Sequence, residues 1–178
     1  LVVESYSADA DPAIRELVAA ALNNRGITHR DQGDFTAAIA DYTSVVESYS
    51  ADAEPAIRNL VALALYNRGY AHFEQGDHAA AIANLTLVVE SYSADADPAI
   101  RELVALALYN RGIAHRDQCD LTAAIADLTS VVESYSADAE PAIREVVVRA
   151  FVSRGYAHGR QGDFTAAIAD YTSVVESY

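Results

Sequence analysis

Apolar residues recur along this chain at intervals of three and four rather than in strict alternation. Ile100, Leu103, Val104, Ala107 and Leu108 form one such series, and Ala38, Ile39, Tyr42, Val45 and Val46 form another. That spacing lines one face of an α-helix and does not suit a half-buried strand. Each longer series follows "ADADP" or "ADAEP", which places an acid and then a proline at the first helical turn. It runs to an "RDQG" or "FEQG" signal, where Gly33, Gly76 and Gly162 suit the left-handed residue that closes a helix. Asp34, Asp77, Asp120 and Asp163 come next and can cap a second helix. The pattern predicts long helices over 12–32, 55–75, 98–118 and 141–161, and shorter ones over 35–49, 78–92, 121–135 and 164–178.

These helix pairs are copies of one phrase. Val2, Val45, Val88, Val131 and Val174 each begin it, 43 residues apart, without slippage. Residues 2–44 and 88–130 differ at six positions. A strict period of this length is the mark of a solenoid, whose units bury their apolar faces only by stacking. The expectation is an all-α chain: an α-solenoid of four antiparallel helix hairpins in a right-handed superhelix. It would form one array over 1–178, with units at 7–49, 50–92, 93–135 and 136–178. Residues 1–6 read as the tail of a preceding unit, so the chain resembles a piece of a longer array.

Composition narrows the partners. All twelve basic residues are arginine, and against 26 acids they leave a net charge of −14. Nucleic acid and anionic membranes both need their phosphates neutralised, so neither is expected as a partner. A basic or neutral peptide is easier to accommodate. No apolar run approaches the ~18 residues of a membrane span. The single Cys119 excludes an internal disulfide and fits a reducing, cytoplasmic setting.

The segment "LYNRGYAHFEQGDHAAAIANL" resembles a tetratricopeptide repeat. The family's large apolar place is held by Leu22, Leu65, Leu108 and Phe151, and its small glycine by Gly26, Gly69, Gly112 and Gly155. Its second-helix alanine is Ala38, Ala81, Ala124 and Ala167, followed by Tyr42, Leu85, Leu128 and Tyr171 at the aromatic place. Two places depart from the pattern. The first-helix aromatic is replaced by His29, His72, His115 and His158, and the leucine before the glycine by Arg25, Arg68, Arg111 and Arg154. The unit is also longer than the family's usual 34 residues; the extra length in "SADADPAIREL" extends the first helix. The resemblance implies a scaffold that binds other proteins. The family's carboxylate-clamping members rely on lysine, which this chain lacks.

The chemistry suggests no enzyme, metal site or cofactor. Four of the five histidines fall at one equivalent place per repeat, and stacked helices stand roughly 8–10 Å apart. Metal–nitrogen bonds of about 2.0–2.1 Å need ligands much closer together. There is no phosphate-binding glycine loop, and acids such as Asp9 and Asp11 lie where helix capping explains them.

The copies disagree most along the long helix. Five places change character: Ala20/Leu63/Leu106/Arg149, Asn23/Tyr66/Tyr109/Val152, Ile27/Tyr70/Ile113/Tyr156, Arg30/Phe73/Arg116/Gly159 and Asp31/Glu74/Asp117/Arg160. At 100° per residue they share an arc of about 100°. The replacements include aromatic and aliphatic residues, whereas Arg15, Arg58, Arg101 and Arg144, taken as exposed, do not vary. The resemblance places the first helices along a concave groove. The expected peptide-binding residues are Tyr66, Tyr70, Phe73, Tyr109, Ile113, Arg116 and Tyr156. Beside them lie Asn24, Asn67 and Asn110, whose amides could bond a peptide backbone or bond within the array. The alternative to a peptide-binding scaffold is architectural: like units stacking end to end in self-association.

Overall fold

The computed structural model describes residues 11–177, which form eight α-helices and no strand. The proposed tail at residues 1–6, and Asp9, lie outside the described residues. The helices fall in two compact units, one ending at Tyr92 and the other beginning at Ser93. The first contains α1 (Pro12–Asp31), α2 (Phe35–Tyr49), α3 (Pro55–Glu74) and α4 (His78–Tyr92). The second contains α5 (Pro98–Asp117), α6 (Leu121–Tyr135), α7 (Pro141–Gln161) and α8 (Phe164–Ser177). Consecutive hairpins packed in this repeating manner make an α-solenoid.

The predicted starts hold because the capping chemistry repeats. Asp11 and Asp97 accept the backbone N–H of Ala13 and Ala99, each at 2.9 Å. Glu54 and Glu140 occupy the same place without a side-chain cap. There the aspartate two residues earlier holds the turn: Asp52 accepts from Glu54 N at 3.0 Å and Asp138 from Glu140 N at 2.9 Å. The second helices begin alike, with Asp34, Asp77, Asp120 and Asp163 each accepting at 3.0 Å from the backbone three residues on. Each such bond satisfies one of the N–H groups a helix start leaves open.

All four hairpins turn in the same way. Gly33, Gly76 and Gly162 have φ of 79°, 84° and 88°, and Cys119 joins them at 64°. The cysteine therefore takes the left-handed conformation that glycine adopts at lower cost.

The small glycines sit where the paired helix comes closest. A Cβ on Gly69 would meet Leu85 Cγ at 3.0 Å, and one on Gly112 would meet Leu128 Cγ at 3.1 Å. Around these crossings Ala38, Tyr42, Leu85, Ala124 and Leu128 have no exposed surface. Burying a side chain the size of leucine contributes roughly 1.5–3 kcal/mol, so the repeating hairpin core supplies much of the stability. Within each unit the two long helices touch, α1 with α3 and α5 with α7. Among the described residues no Cα atoms of a unit's two short helices come within 8 Å of each other. The long helices of each unit therefore pack closer together than its short ones and form its inner layer.

Candidate functional site

The inner layer of the first unit carries a row of rings. Tyr66, Tyr70 and Phe73 project from α3 at i, i+4 and i+7, the spacing that puts side chains on one helical face. Tyr66 and Tyr70 stack with centroids 6.4 Å apart, and Tyr70 and Phe73 with centroids 6.5 Å apart. His78, at the start of α4, extends the row with its ring 5.2 Å from that of Phe73. From α1, Arg30 places its guanidinium 5.5 Å from the Tyr70 centroid, a cation–π contact between repeats. Arg30 also bonds Asp31 at 3.0 Å and lies 3.9 Å from Glu74. Burial pushes the Tyr70 hydroxyl pKa up, and the Glu74 charge acts in the same direction. Tyr66, Tyr70 and Phe73 are each half-buried, so the row keeps an accessible edge.

The second unit has the related arrangement with fewer rings. Tyr109, Ile113 and Arg116 lie half-buried on α5, and Tyr156 stands on α7, 46 % exposed. Arg116 lies 5.9 Å from the Tyr156 centroid, repeating the relation of Arg30 to Tyr70. Arginine at 30 and 116 and tyrosine at 70 and 156 alternate between repeats, a two-repeat period visible in the sequence.

The three asparagines do not share an environment. Asn24 is exposed, Asn110 is half-buried, and Asn67 is buried, with its Nδ2 lacking a hydrogen-bond partner. Asn67 therefore sits within the packing and is not open to a peptide backbone. Asn23, one of the variable places, is also internal: it is buried and its Nδ2 donates to Leu60 O at 3.1 Å.

The constancy of Arg15 and Arg101 has a structural cause that corrects their reading as merely exposed sites. Arg15 donates to Asp52 at 2.9 Å and Arg101 to Asp138 at 2.6 Å, clamping the turn that opens the next long helix. Their lack of variation therefore says nothing about drift at free surface.

A second ladder escaped the sequence reading. The arginines at the family's leucine place reach across each hairpin to a residue sixteen positions on. Arg25 meets Asp41 at 2.7 Å, Arg111 meets Asp127 at 2.8 Å and Arg154 meets Asp170 at 3.0 Å. The three aspartates are all buried. The constant sixteen-residue spacing of arginine and aspartate was the available signal. His29 and His115 lie 4.0 Å from Asp41 and Asp127, so these histidines border structural ion pairs. Among the described residues no cluster of three histidines, cysteines or acids could hold a metal ion.

An array of helix hairpins with an accessible aromatic row on its inner layer defines the class of helical-repeat scaffolds. Family models described as tetratricopeptide repeat match residues 7–53 and 23–98, and a further one matches 148–178. The matches span more than half of the chain, which belongs to the tetratricopeptide repeat family. Repeats of this family are generally protein–protein interaction modules, typically binding proteins or peptides, and generally non-enzymatic. Comparison with curated proteins gives no match. Among the described residues no helix is long and apolar enough to cross a membrane.

Proposed function

We propose that the chain is a scaffold that holds a peptide segment against the long-helix face of its units, with Tyr66, Tyr70 and Phe73 as the main anchor. The observation that carries this reading is the stacked, half-buried row of those three rings beneath Arg30. Aromatic side chains give large contact area for little lost conformational freedom, and they dominate binding hot spots. A ring row also grips a segment without demanding one sequence, as a scaffold requires. The excess of acids favours a segment that is neutral or basic outside its contact with any local arginine. Tyr109, Ile113, Arg116 and Tyr156 form the corresponding face of the second unit; Asn24 supplies a polar contact at the margin of the first unit's face and Asn110 at that of the second. Selection of peptides from a displayed library, followed by amide chemical-shift mapping, tests the assignment. Perturbations should concentrate on α1 and α3; a map centred on α2 and α4 would refute it.

The architectural reading has its own observation. On α8, Phe164, Ile168, Tyr171 and Val175 are 67 %, 65 %, 41 % and 83 % exposed. On α2 the same face packs against α3, with Arg68 donating to Thr43 at 3.2 Å. A second copy's α1 has nearly the sequence of that cover and would bring its Arg25 toward Thr172. Light scattering should then show concentration-dependent mass that Ile168→Glu with Val175→Glu abolishes; a constant monomer mass would exclude it.

A further inference from the structure

On its short-helix side the first unit has a cleft of about 420 Å³, formed where α2 and α4 flank the N-terminal half of α3. Its apolar lining is Val46, Tyr49, Val61, Leu65, Leu87 and Tyr92. Tyr49, Val61, Leu65 and Tyr92 are buried and form a floor, whereas Leu87 is 44 % exposed at the rim. On α3, Leu65 lies on a different face from Tyr66, since neighbouring positions are about 100° apart around a helix. Ser50, Asp52 and Arg58 also line the cleft, and they belong to the segment by which this unit exceeds the usual 34 residues.

Leu87 makes the mouth of the cleft apolar. The other three short helices have Ser44, Ser130 and Ser173 at that place, each donating to the carbonyl four residues back at 3.0 Å. Such a serine is satisfied within its own helix. The leucine leaves nearly half of its surface in water, so much of what its burial could contribute is unrealised in the free chain. Three residues before it, Asn84 replaces the aspartate of the other hairpins, which removes a negative charge from the same face of α4. The charged groups lining the cleft are already engaged: Asp52 is paired with Arg15 at 2.9 Å, and Arg58 lies 5.2 Å from the Tyr92 centroid. Arg68, one turn beyond Leu65, donates to Asn84 at 2.6 Å and to Thr43 at 3.2 Å. In a chain of net charge −14 this is a neutral apolar recess. It suits an uncharged guest, because a charged one would be desolvated without a partner.

We infer that this cleft is a second docking surface, taking one uncharged apolar side chain of leucine or phenylalanine size from a partner polypeptide. Its volume falls within the roughly 300–1,000 Å³ of sites that hold small organic groups, enough for such a side chain with its flanking backbone. The exposed Ser50 and Ser91 offer hydroxyls to that backbone. Lying on the short-helix side, the cleft leaves the row from Tyr66 to Phe73 free, so the first unit holds two segments at once. This surface is separate from the one proposed for the long helices and does not depend on it.

Small probes read the cleft by itself. Methyl resonances of Val46, Val61, Leu65 and Leu87 are followed in the whole chain while N-acetyl-leucinamide, N-acetylphenylalaninamide, N-acetylglycinamide or N-acetyl-lysinamide is added. The leucine and phenylalanine probes should shift these methyls saturably, the glycine probe should not, and the lysine probe should bind at least about fivefold more weakly. Leu87→Ser brings in the residue that the other three short helices carry and so keeps the fold. It should weaken the leucine response by about fivefold or more. Equal responses to leucine and glycine, tighter saturation by lysine, or an unchanged response in Leu87→Ser would overturn the proposal. Concentration-dependent mass that Leu87→Ser abolishes would make a second copy of the chain the occupant, and would overturn it too. If the cleft stays silent while selected peptides still perturb α1 and α3, the second surface falls and the scaffold reading stands.

Discussion

Arg68 donates from Nε to Asn84 Oδ1 at 2.6 Å, at the place where each of the other three hairpins has an aspartate. Burial pulls the Arg68 pKa down, whereas the hydrogen bond to Asp41 raises that of Arg25. The second hairpin thus holds a cation in a desolvated place with a neutral partner. Asn84→Asp should restore the charge-assisted pair and stabilise the array by about 1–2 kcal/mol at neutral pH. Urea unfolding of the two proteins would measure it, and the gap should narrow progressively as the pH falls below the ordinary aspartate pKa of about 3.9. A variant no more stable than the parent at neutral pH would mean that desolvating the carboxylate offsets the pair.

Two glycines of the long helices should respond in opposite directions. Gly112 faces Leu128 Cγ and Ala124 O, which a new Cβ would meet at 3.1 and 3.3 Å. Gly112→Leu should cost roughly 1–3 kcal/mol by overpacking. At Gly159 a Cβ would find only Ala167 Cβ at 3.9 Å, an ordinary contact. Gly159→Ala should therefore stabilise by about 0.5–1 kcal/mol through helix propensity. Thermal unfolding of both variants checks the pair, and the same sign for both would contradict the packing described.

Cys119 is strained by its backbone rather than by its surroundings. It is exposed and holds φ at 64° in a turn where the other hairpins use glycine. Cys119→Gly should raise stability by about 1–2 kcal/mol in urea under reducing conditions. Equal stability would show that the thiol makes a compensating contact.

The His72 ring gives the fold a pH dependence. Its pKa is lowered chiefly by burial, with Arg68 adding to the effect and Asp77 opposing it. Its Nδ1 is buried without a hydrogen-bond partner. Below the unfolded-state pKa of about 6.5 the unfolded chain binds more protons at this residue than the folded one. Stability should therefore fall as pH drops through about 6.5 toward the lowered folded value. Urea midpoints from pH 7.5 to 5.5 should decline less steeply in His72→Phe; identical slopes would remove His72 as a source.

Most of the architecture was readable because each hairpin repeats the same local rules. Proline with an acid at one end and glycine with aspartate at the turn locate the helices to within about a residue. The row from Tyr66 to Phe73 was readable for the same reason, since i, i+4 and i+7 fix a common face within one helix. What lay beyond the sequence depends on relations between helices. Asn67 is buried and Asn24 exposed although both occupy the same place in the repeat, because α1 packs beside α3 while no described helix precedes α1. The pairing of Arg25 with Asp41 and the placement of Arg30 over Tyr70 likewise need the inter-helix offset, which periodicity alone does not supply.

The central claim is that the α3 rings anchor a bound peptide. Calorimetric titration of a library-selected peptide into the parent and into Tyr66→Ala/Tyr70→Ala/Phe73→Ala, with helicity checked by circular dichroism, tests it most directly. The account predicts native helicity and a loss of at least about 2 kcal/mol of binding free energy, roughly thirtyfold in Kd. Native helicity with unchanged affinity would contradict it.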